Sequence, residues 1–200
     1  MQQYLALGDS YTIGEQAPIF ESFPYQTIQL LRNAGMNMAA AEIVAKTGWT
    51  TDELIAGMDA QKLSERYDWV SLLIGVNNQY RNRTVENYLP EFSILLDRAI
   101  ALSGNRTERV FVLSIPDWGV TPFAEGRDRE QIATAIDAYN TAAAEHCKQQ
   151  QITFIDITIC QRAHGADPSY LTADGLHYSG KEYADWAKQL SELILERNAG

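Results

Sequence analysis

Short apolar runs alternate with longer segments of helical period from one end of this chain to the other, and that alternation limits the fold more than any other feature. Runs at 4–7, 41–45, 69–74, 110–115 and 152–157 are too short for independent helices and are bounded by Gly, Pro or Asp, so they read as strands. Between the third and fourth, Val85, Tyr88, Leu89, Phe92, Leu95, Leu96, Ala99 and Leu102 step by three and four, which puts one apolar stripe on a long helix. The same period recurs in Ile132, Ile136, Tyr139, Ala143 and Cys147, and in Tyr183, Trp186, Ala187, Leu190, Leu193 and Ile194. Capping-box pairs are expected at Thr50 with Glu53, Asp128 with Gln131 and Ser179 with Glu182. Strands separated by amphipathic helices make a parallel sheet covered on both faces. The pattern therefore predicts one α/β domain over residues 1–200, a three-layer α/β/α sandwich of flavodoxin-like type with about five parallel strands.

Composition narrows the partners. A chain of 200 residues with 46% hydrophobic and 21% charged residues is ordinary for a globular fold and argues against disorder or a disulfide scaffold. The formal net charge of -10 repels phosphate backbones and anionic membrane surfaces, so no nucleic-acid partner is expected. No run of apolar residues is long enough for a membrane span. The start, Met1-Gln2-Gln3-Tyr4, has neither the basic nor the apolar region of a secretory signal. A full-length chain would then be cytoplasmic, and a trimmed one secreted or periplasmic. Cys147 and Cys160 form no CxxC pair or metal spacing and read as two buried thiols, with no metal expected. The stripes are all assigned to the two faces of the sheet, so the oligomeric state is not readable.

In parallel α/β folds the loops after the carboxyl ends of the strands carry the chemistry. The first strand runs into Gly8-Asp9-Ser10-Tyr11, which holds a hydroxyl just beyond the sheet edge. The same tetrapeptide also reads as a strand-ending turn. A serine nucleophile needs a base that is itself held by a carboxylate. His146 falls within a helical stripe and His164 in a loop without a carboxylate motif, whereas His177 closes Asp174-Gly175-Leu176-His177, one loop able to supply base and orienting acid. Donors for an oxyanion are offered by Thr47-Gly48-Trp49 after the second strand and Gly75-Val76-Asn77-Asn78 after the third. In isolation each is also an ordinary turn.

Taken in order, Gly8-Asp9-Ser10, Gly48, Gly75-Val76-Asn77-Asn78 and Asp174-Gly175-Leu176-His177 resemble the four blocks of the SGNH, or GDSL-type, serine ester hydrolases, and the resemblance spans nearly the whole chain. It implies Ser10 as nucleophile, His177 as base and Asp174 as its orienter. It also implies an oxyanion hole of the Ser10 N–H, the Gly48 N–H and the Asn77 side-chain amide, without metal or organic cofactor. Two positions depart from the family pattern: Tyr11 replaces its leucine, and Asn78 replaces the aspartate that follows the oxyanion asparagine.

Rival motifs are weaker. Gly175 to Lys181 reads nearly as a P-loop, but Glu182 stands where a magnesium-binding hydroxyl belongs. No G-x-S-x-G elbow of an α/β-hydrolase occurs. A noncatalytic flavodoxin-like binding module is the alternative of a different class. The expected reaction is hydrolysis of a small-molecule carboxylic ester through an acyl-enzyme, slowing as His177 takes up a proton below neutral pH. Short acyl groups, such as acetyl on a carbohydrate, are the expected substrate. A lysophospholipase or thioesterase of the same family is the alternative. Trp49, Tyr80, Trp118 and Phe123 are candidate substrate contacts because aromatic faces stack on sugars and pack on acyl chains, and Arg81, Arg83 and Arg127 are candidate anion contacts.

Overall fold

The computed structural model describes residues 1–199. Five strands, β1 (Tyr4–Gly8), β2 (Glu42–Ala45), β3 (Trp69–Leu73), β4 (Val110–Leu113) and β5 (Thr153–Ile155), form one sheet in the order β2-β1-β3-β4-β5, every pair parallel. β1, β3 and β4 are buried at every position, so both of their faces are covered, while the edge strands β2 and β5 are partly exposed. Among the described residues eight α-helices accompany the sheet: α1 (Ser10–Ile13), α2 (Phe23–Asn33), α3 (Thr51–Asp59), α4 (Val76–Tyr80), α5 (Val85–Leu102), α6 (Arg129–Gln149), α7 (Thr158–His164) and α8 (Gly180–Ala199). Packing sorts the long ones into two groups, α2 against α8, and α3 against α5 against α6. The expected three layers are present. Among the described residues no helix is long and apolar enough to cross a membrane.

The helical stripes read from the sequence are the buried faces: Tyr88, Phe92, Leu95, Leu96 and Ala99 in α5, and Tyr183, Trp186, Ala187, Leu190 and Ile194 in α8. The last strand is shorter than its apolar run because Ser114 Oγ accepts the backbone N–H groups of Ile157 and Thr158 (2.9 and 3.1 Å), turning the chain out of the sheet. Two of the expected caps form: Asp128 Oδ1 accepts from Gln131 N (3.0 Å) and Glu53 Oε2 from Thr50 N (2.9 Å).

The third does not. Glu182 turns away from the start of α8 and is fully buried, with Oε1 accepting from Trp186 Nε1 (2.9 Å) and Oε2 lying 2.9 Å from His164 Nδ1. His164 thus has a carboxylate partner that its sequence neighbours do not supply, and its ring stacks on Tyr170 with centroids 4.0 Å apart. Burial raises the Glu182 carboxyl above its ordinary range, more than these two bonds lower it. The cysteines differ from expectation as well: Cys147 is buried in the stripe of α6, but Cys160 is exposed on α7.

Removing the Glu182 carboxylate strands a buried indole N–H and the imidazole together. Glu182→Ala should therefore lower the unfolding free energy by about 3 kcal/mol in urea titrations, whereas Glu182→Gln, which keeps an acceptor for Trp186, should lose less.

Candidate active site

The site assembles at the carboxyl edge of the sheet. In the ladder, Gly8 at the end of β1 pairs with Ala45 of β2 on one side and Leu73 of β3 on the other, so three strands stop level with one another. Gly8 itself has no room for a side chain: a Cβ there would lie 2.0 Å from Thr12 Oγ1 and 2.5 Å from the Leu73 carbonyl oxygen. The chain then turns into α1 with Asp9 as its N-cap, Oδ1 accepting from Tyr11 N (3.0 Å), and Ser10 takes the first helical position. The Ser10 N–H consequently has no partner within the turn.

A cleft of about 170 Å³ opens at this point, lined by Ser10, Tyr11, Gly48, Asn77, Tyr80, Trp118, Phe123, Leu176 and His177 among others. The N-terminal serine and the C-terminal histidine therefore face one space. Asp174 lies behind the histidine, Oδ2 2.6 Å from His177 Nδ1, while its Oδ1 accepts from the backbone N–H groups of Leu176 (2.9 Å) and His177 (3.0 Å) and from the Thr172 hydroxyl (2.9 Å). Partial burial alone would raise this carboxyl; the bonds from His177, Leu176 and Thr172 outweigh it and hold it down at about 2. Nδ1 engaged with a carboxylate leaves Nε2 as the ring nitrogen available to the cleft. No hydrogen bond joins Ser10 Oγ to His177 among the described residues. Such bonds commonly tighten only when substrate arrives. Tyr11, outside the proton-transfer chain by resemblance, backs the imidazole with ring centroids 5.4 Å apart.

Asp9 contrasts with Asp174. It is fully buried, only one of its oxygens has a hydrogen-bond partner, and burial pushes its carboxyl up to about 7 against the lowering by the Tyr11 N–H.

The two donor loops are fixed from behind. Gly48 has φ +82°, a left-handed conformation that suits glycine, and its carbonyl accepts from Arg81 Nη2 (2.7 Å), whose other terminal nitrogen is paired with Glu53 at 3.3 Å. Asn77 donates one Nδ2 hydrogen to the Trp49 carbonyl (3.0 Å), tying the two loops together. Asn78 is fully buried; its Oδ1 accepts from Thr51 N (3.1 Å) and its Nδ2 donates to Thr51 Oγ1 (2.7 Å), while the Thr51 hydroxyl hydrogen goes to Glu91. An aspartate could accept both the N–H and the hydroxyl of Thr51. Here Glu91 takes the hydroxyl proton, and the amide fits without loss of a partner.

Two expected substrate contacts change role. Arg81 points at the Gly48 loop and holds it, its charge met by Glu53. Trp49 packs on α3, where its ring fills the space a Cβ on Gly57 would need, and it does not line the cleft. Tyr80, Trp118 and Phe123 do line it, packed on one another with centroids 5.2 to 6.3 Å apart. Arg83 is paired with Asp52 and Glu91. Leu176 and Val76 complete the walls, and sequence reasoning passed over both because a lone aliphatic residue inside a motif carries no signal of its own. Thr172 was within reach of such reasoning, as a hydroxyl two residues before a turn aspartate.

Residues 6–184 match the GDSL-like lipase/acylhydrolase family. Comparison with curated proteins gives no match. Among solved structures the chain is similar to a lipase/acylhydrolase from Enterococcus faecalis (21% identity, TM-score 0.72, 98% of this chain and 95% of that one). It is also similar to an acetylxylan esterase from Geobacillus stearothermophilus (18%, TM-score 0.74, 96% and 94%). A third similar structure is a psychrotrophic esterase from Pseudoalteromonas sp. inhibited by monoethylphosphonate (12%, TM-score 0.73, 100% and 100%). At these identities the structural likeness speaks for the fold, and the family match for the chemistry: the chain belongs to the GDSL-like lipase/acylhydrolase family and is a carboxylic ester hydrolase.

Proposed function

We propose that the protein hydrolyses esters of short acyl groups on small polar alcohols, acetyl on a carbohydrate being the type case, with Ser10 as nucleophile. The observation that carries this reading is the cleft itself, which brings Ser10, His177, Gly48 and Asn77 around one space of about 170 Å³. His177 Nε2 takes the Ser10 hydroxyl proton as Oγ attacks the ester carbonyl, and Asp174 stabilises the imidazolium through Nδ1. The oxyanion receives the N–H groups of Ser10 and Gly48 and the free Nδ2 hydrogen of Asn77. Collapse breaks the bond to the alcohol, which leaves with the proton from His177. Water then attacks the acyl-serine with His177 again as base, releasing the acid and restoring the Ser10 hydroxyl.

The size of the cleft supports a short acyl chain. It is below the roughly 300–1,000 Å³ of pockets that hold drug-sized ligands, and Trp118 in its wall is held by a bond from its Nε1 to Gln79 Oε1 at 2.7 Å. A long chain would have to displace the Tyr80, Trp118 and Phe123 cluster. The acetylxylan esterase among the similar structures acts on esters of this kind.

Ser10→Ala should lower kcat by about 10⁵-fold or more, and a serine-reactive phosphonate should label the wild-type peptide containing Ser10 and leave the variant unmodified; retention of full activity removes the assignment. A series of esters with acyl chains of about two to sixteen carbons should show maximal kcat/KM at two to four, and a maximum at long chains overturns the short-acyl reading. Asp174 stays ionised down to about pH 2, so its own protonation contributes nothing to a change in kcat/KM between about pH 4 and neutrality. Asp174→Asn should cut kcat by about 10⁴-fold through loss of the imidazole tautomer, and a wild-type rate flat down to about pH 4 contradicts the role of His177.

A further inference from the structure

A second cavity, of about 310 Å³, shares Tyr80 and Trp118 with the reaction cleft and continues from them towards the start of α6. Its lining is of a different kind. The cleft around Ser10 is walled mainly by apolar and aromatic side chains, whereas this cavity presents Gln79, Arg127 and Gln131 together with the rings of Tyr80, Trp118 and Tyr139. We infer that it is the subsite for the alcohol half of the ester and that it takes a polyhydroxylated ring, a sugar. The inference rests on the ester-hydrolase reading of the cleft and adds to it the residues that choose the alcohol.

Gln79 is the strongest pointer. It is only 9% exposed, and its amide cannot be flipped: Trp118 Nε1–H is a donor only, so the atom 2.7 Å from it is Oε1. The Nε2 hydrogens of Gln79 are then committed to the other side, and among the described residues they meet no acceptor. An amide donor with no protein acceptor at a cavity wall is open to solvent and is a group that a ligand oxygen can satisfy. Across the same cavity the exposed residues Arg127, just before the N-cap of α6, and Gln131, in its first turn, make no side-chain hydrogen bond or ion pair among the described residues. Tyr139 is fixed by its own bond, hydroxyl to the Arg83 carbonyl at 2.6 Å, and serves as wall.

The donor and acceptor pattern selects among alcohols. An aliphatic alcohol would strip water from the Gln79 amide and the Arg127 guanidinium and return nothing. A phosphate or other dianion calls for more than one uncompensated cation. Arg83, the other arginine at this cavity, is already paired with Asp52 and Glu91, and the chain carries a net charge of -10. A sugar ring fits both demands: its hydroxyls accept from Gln79 and Arg127 and exchange bonds with the Gln131 amide, and its C–H face packs on the Tyr80 ring, which is 43% exposed.

The test compares two acetate esters, a mono-O-acetylated methyl pyranoside and hexyl acetate. Wild-type kcat/KM for the pyranoside ester should exceed that for hexyl acetate by about tenfold or more, and in the Arg127→Ala/Gln131→Ala double variant this ratio should fall about tenfold, the effect of losing hydrogen bonds that include a charged donor. The free methyl pyranoside, which cannot react, should give a saturation-transfer NMR signal with the wild-type protein that the double variant loses. An unchanged ratio, a preference for hexyl acetate, or pyranoside binding indifferent to the two substitutions overturns the subsite. Failure of the wild-type protein to turn over any acetate while it still binds the pyranoside at Arg127 and Gln131 sinks the hydrolase reading of Ser10 and leaves the sugar subsite standing.

Discussion

The register of β1 between its two neighbours is the constraint from which the rest of the site follows. Gly8 is opposite Ala45 and Leu73 at once, so the loops carrying Ser10, Gly48 and Asn77 leave the sheet at one level, two, three and four residues beyond those paired positions. Parallel ladders hold that level because a slip of one residue would turn the wholly buried faces of β1 and β3 against the wrong layers. The close approach of the Gly8 backbone to Thr12 and Leu73 narrows the gap further and leaves α1 no alternative path. That Ser10, Gly48 and Asn77 line one cleft is thus a property of strand register before it is a property of any side chain.

Register alone would leave these loops free to move, and groups that are to receive a developing charge must be held in place beforehand. A second layer of bonds removes that freedom. Arg81 grips the Gly48 carbonyl, Asn77 grips the Trp49 carbonyl, and Asn78 closes onto Thr51 at the start of α3. Arg81 and Asn77 stand four residues apart on the α4 segment and its C-cap, so the short helix works as a clamp on the loop after β2. The replacement of a carboxylate by Asn78 belongs to this clamp. Because Glu91 accepts from Thr51, the position needs one acceptor and one donor, which is what an amide offers.

Periodicity and motif order made the layers, the strand positions and the residues that meet in the cleft legible from the sequence, because each rests on local chemistry: a run of apolar residues, a hydroxyl after a strand, a histidine three residues beyond an aspartate. What the sequence hid depends on which way a long side chain turns. Glu182 sits where a capping carboxylate would, yet the indole of Trp186 and the imidazole of His164 draw it inward, and the His164 partnership is invisible to spacing. Arg81 and Trp49 were placed at the correct edge with the wrong orientation, since the Glu53 carboxylate and the Gly57 gap that receive them are set by the packing of α3. Cys160 faces outward because α7 is short and buries only Thr158 and Gln161. The Gln79 to Trp118 bond, 39 residues apart in sequence, had no local signal at all.

Two carboxylates beside the cleft residues Ser10 and His177 are driven to opposite ends of their range, and the difference is one of partners. Asp174 is partly exposed and collects four hydrogen bonds; Asp9 is fully buried with one. The group held at about 2 keeps its charge down to that pH, as the role proposed for Asp174 beside the imidazole requires. The group pushed to about 7 has the reverse linkage. Its folded form binds a proton more tightly than the unfolded chain does, so the stability it allows is full below the unfolded value near 3.9 and declines as pH rises through about 7, by on the order of 4 kcal/mol for a wholly buried carboxyl. Asp174 contributes oppositely, its stabilisation present above about 3.9 and lost only as pH falls through about 2. Ionising Asp9 therefore loads the very turn that presents Ser10, and what opposes it is the Tyr11 N–H that Asp9 caps. Among the described residues the one hydrogen bond to that carboxylate is the Tyr11 N–H at the start of α1, where a negative charge meets the favourable end of the helix.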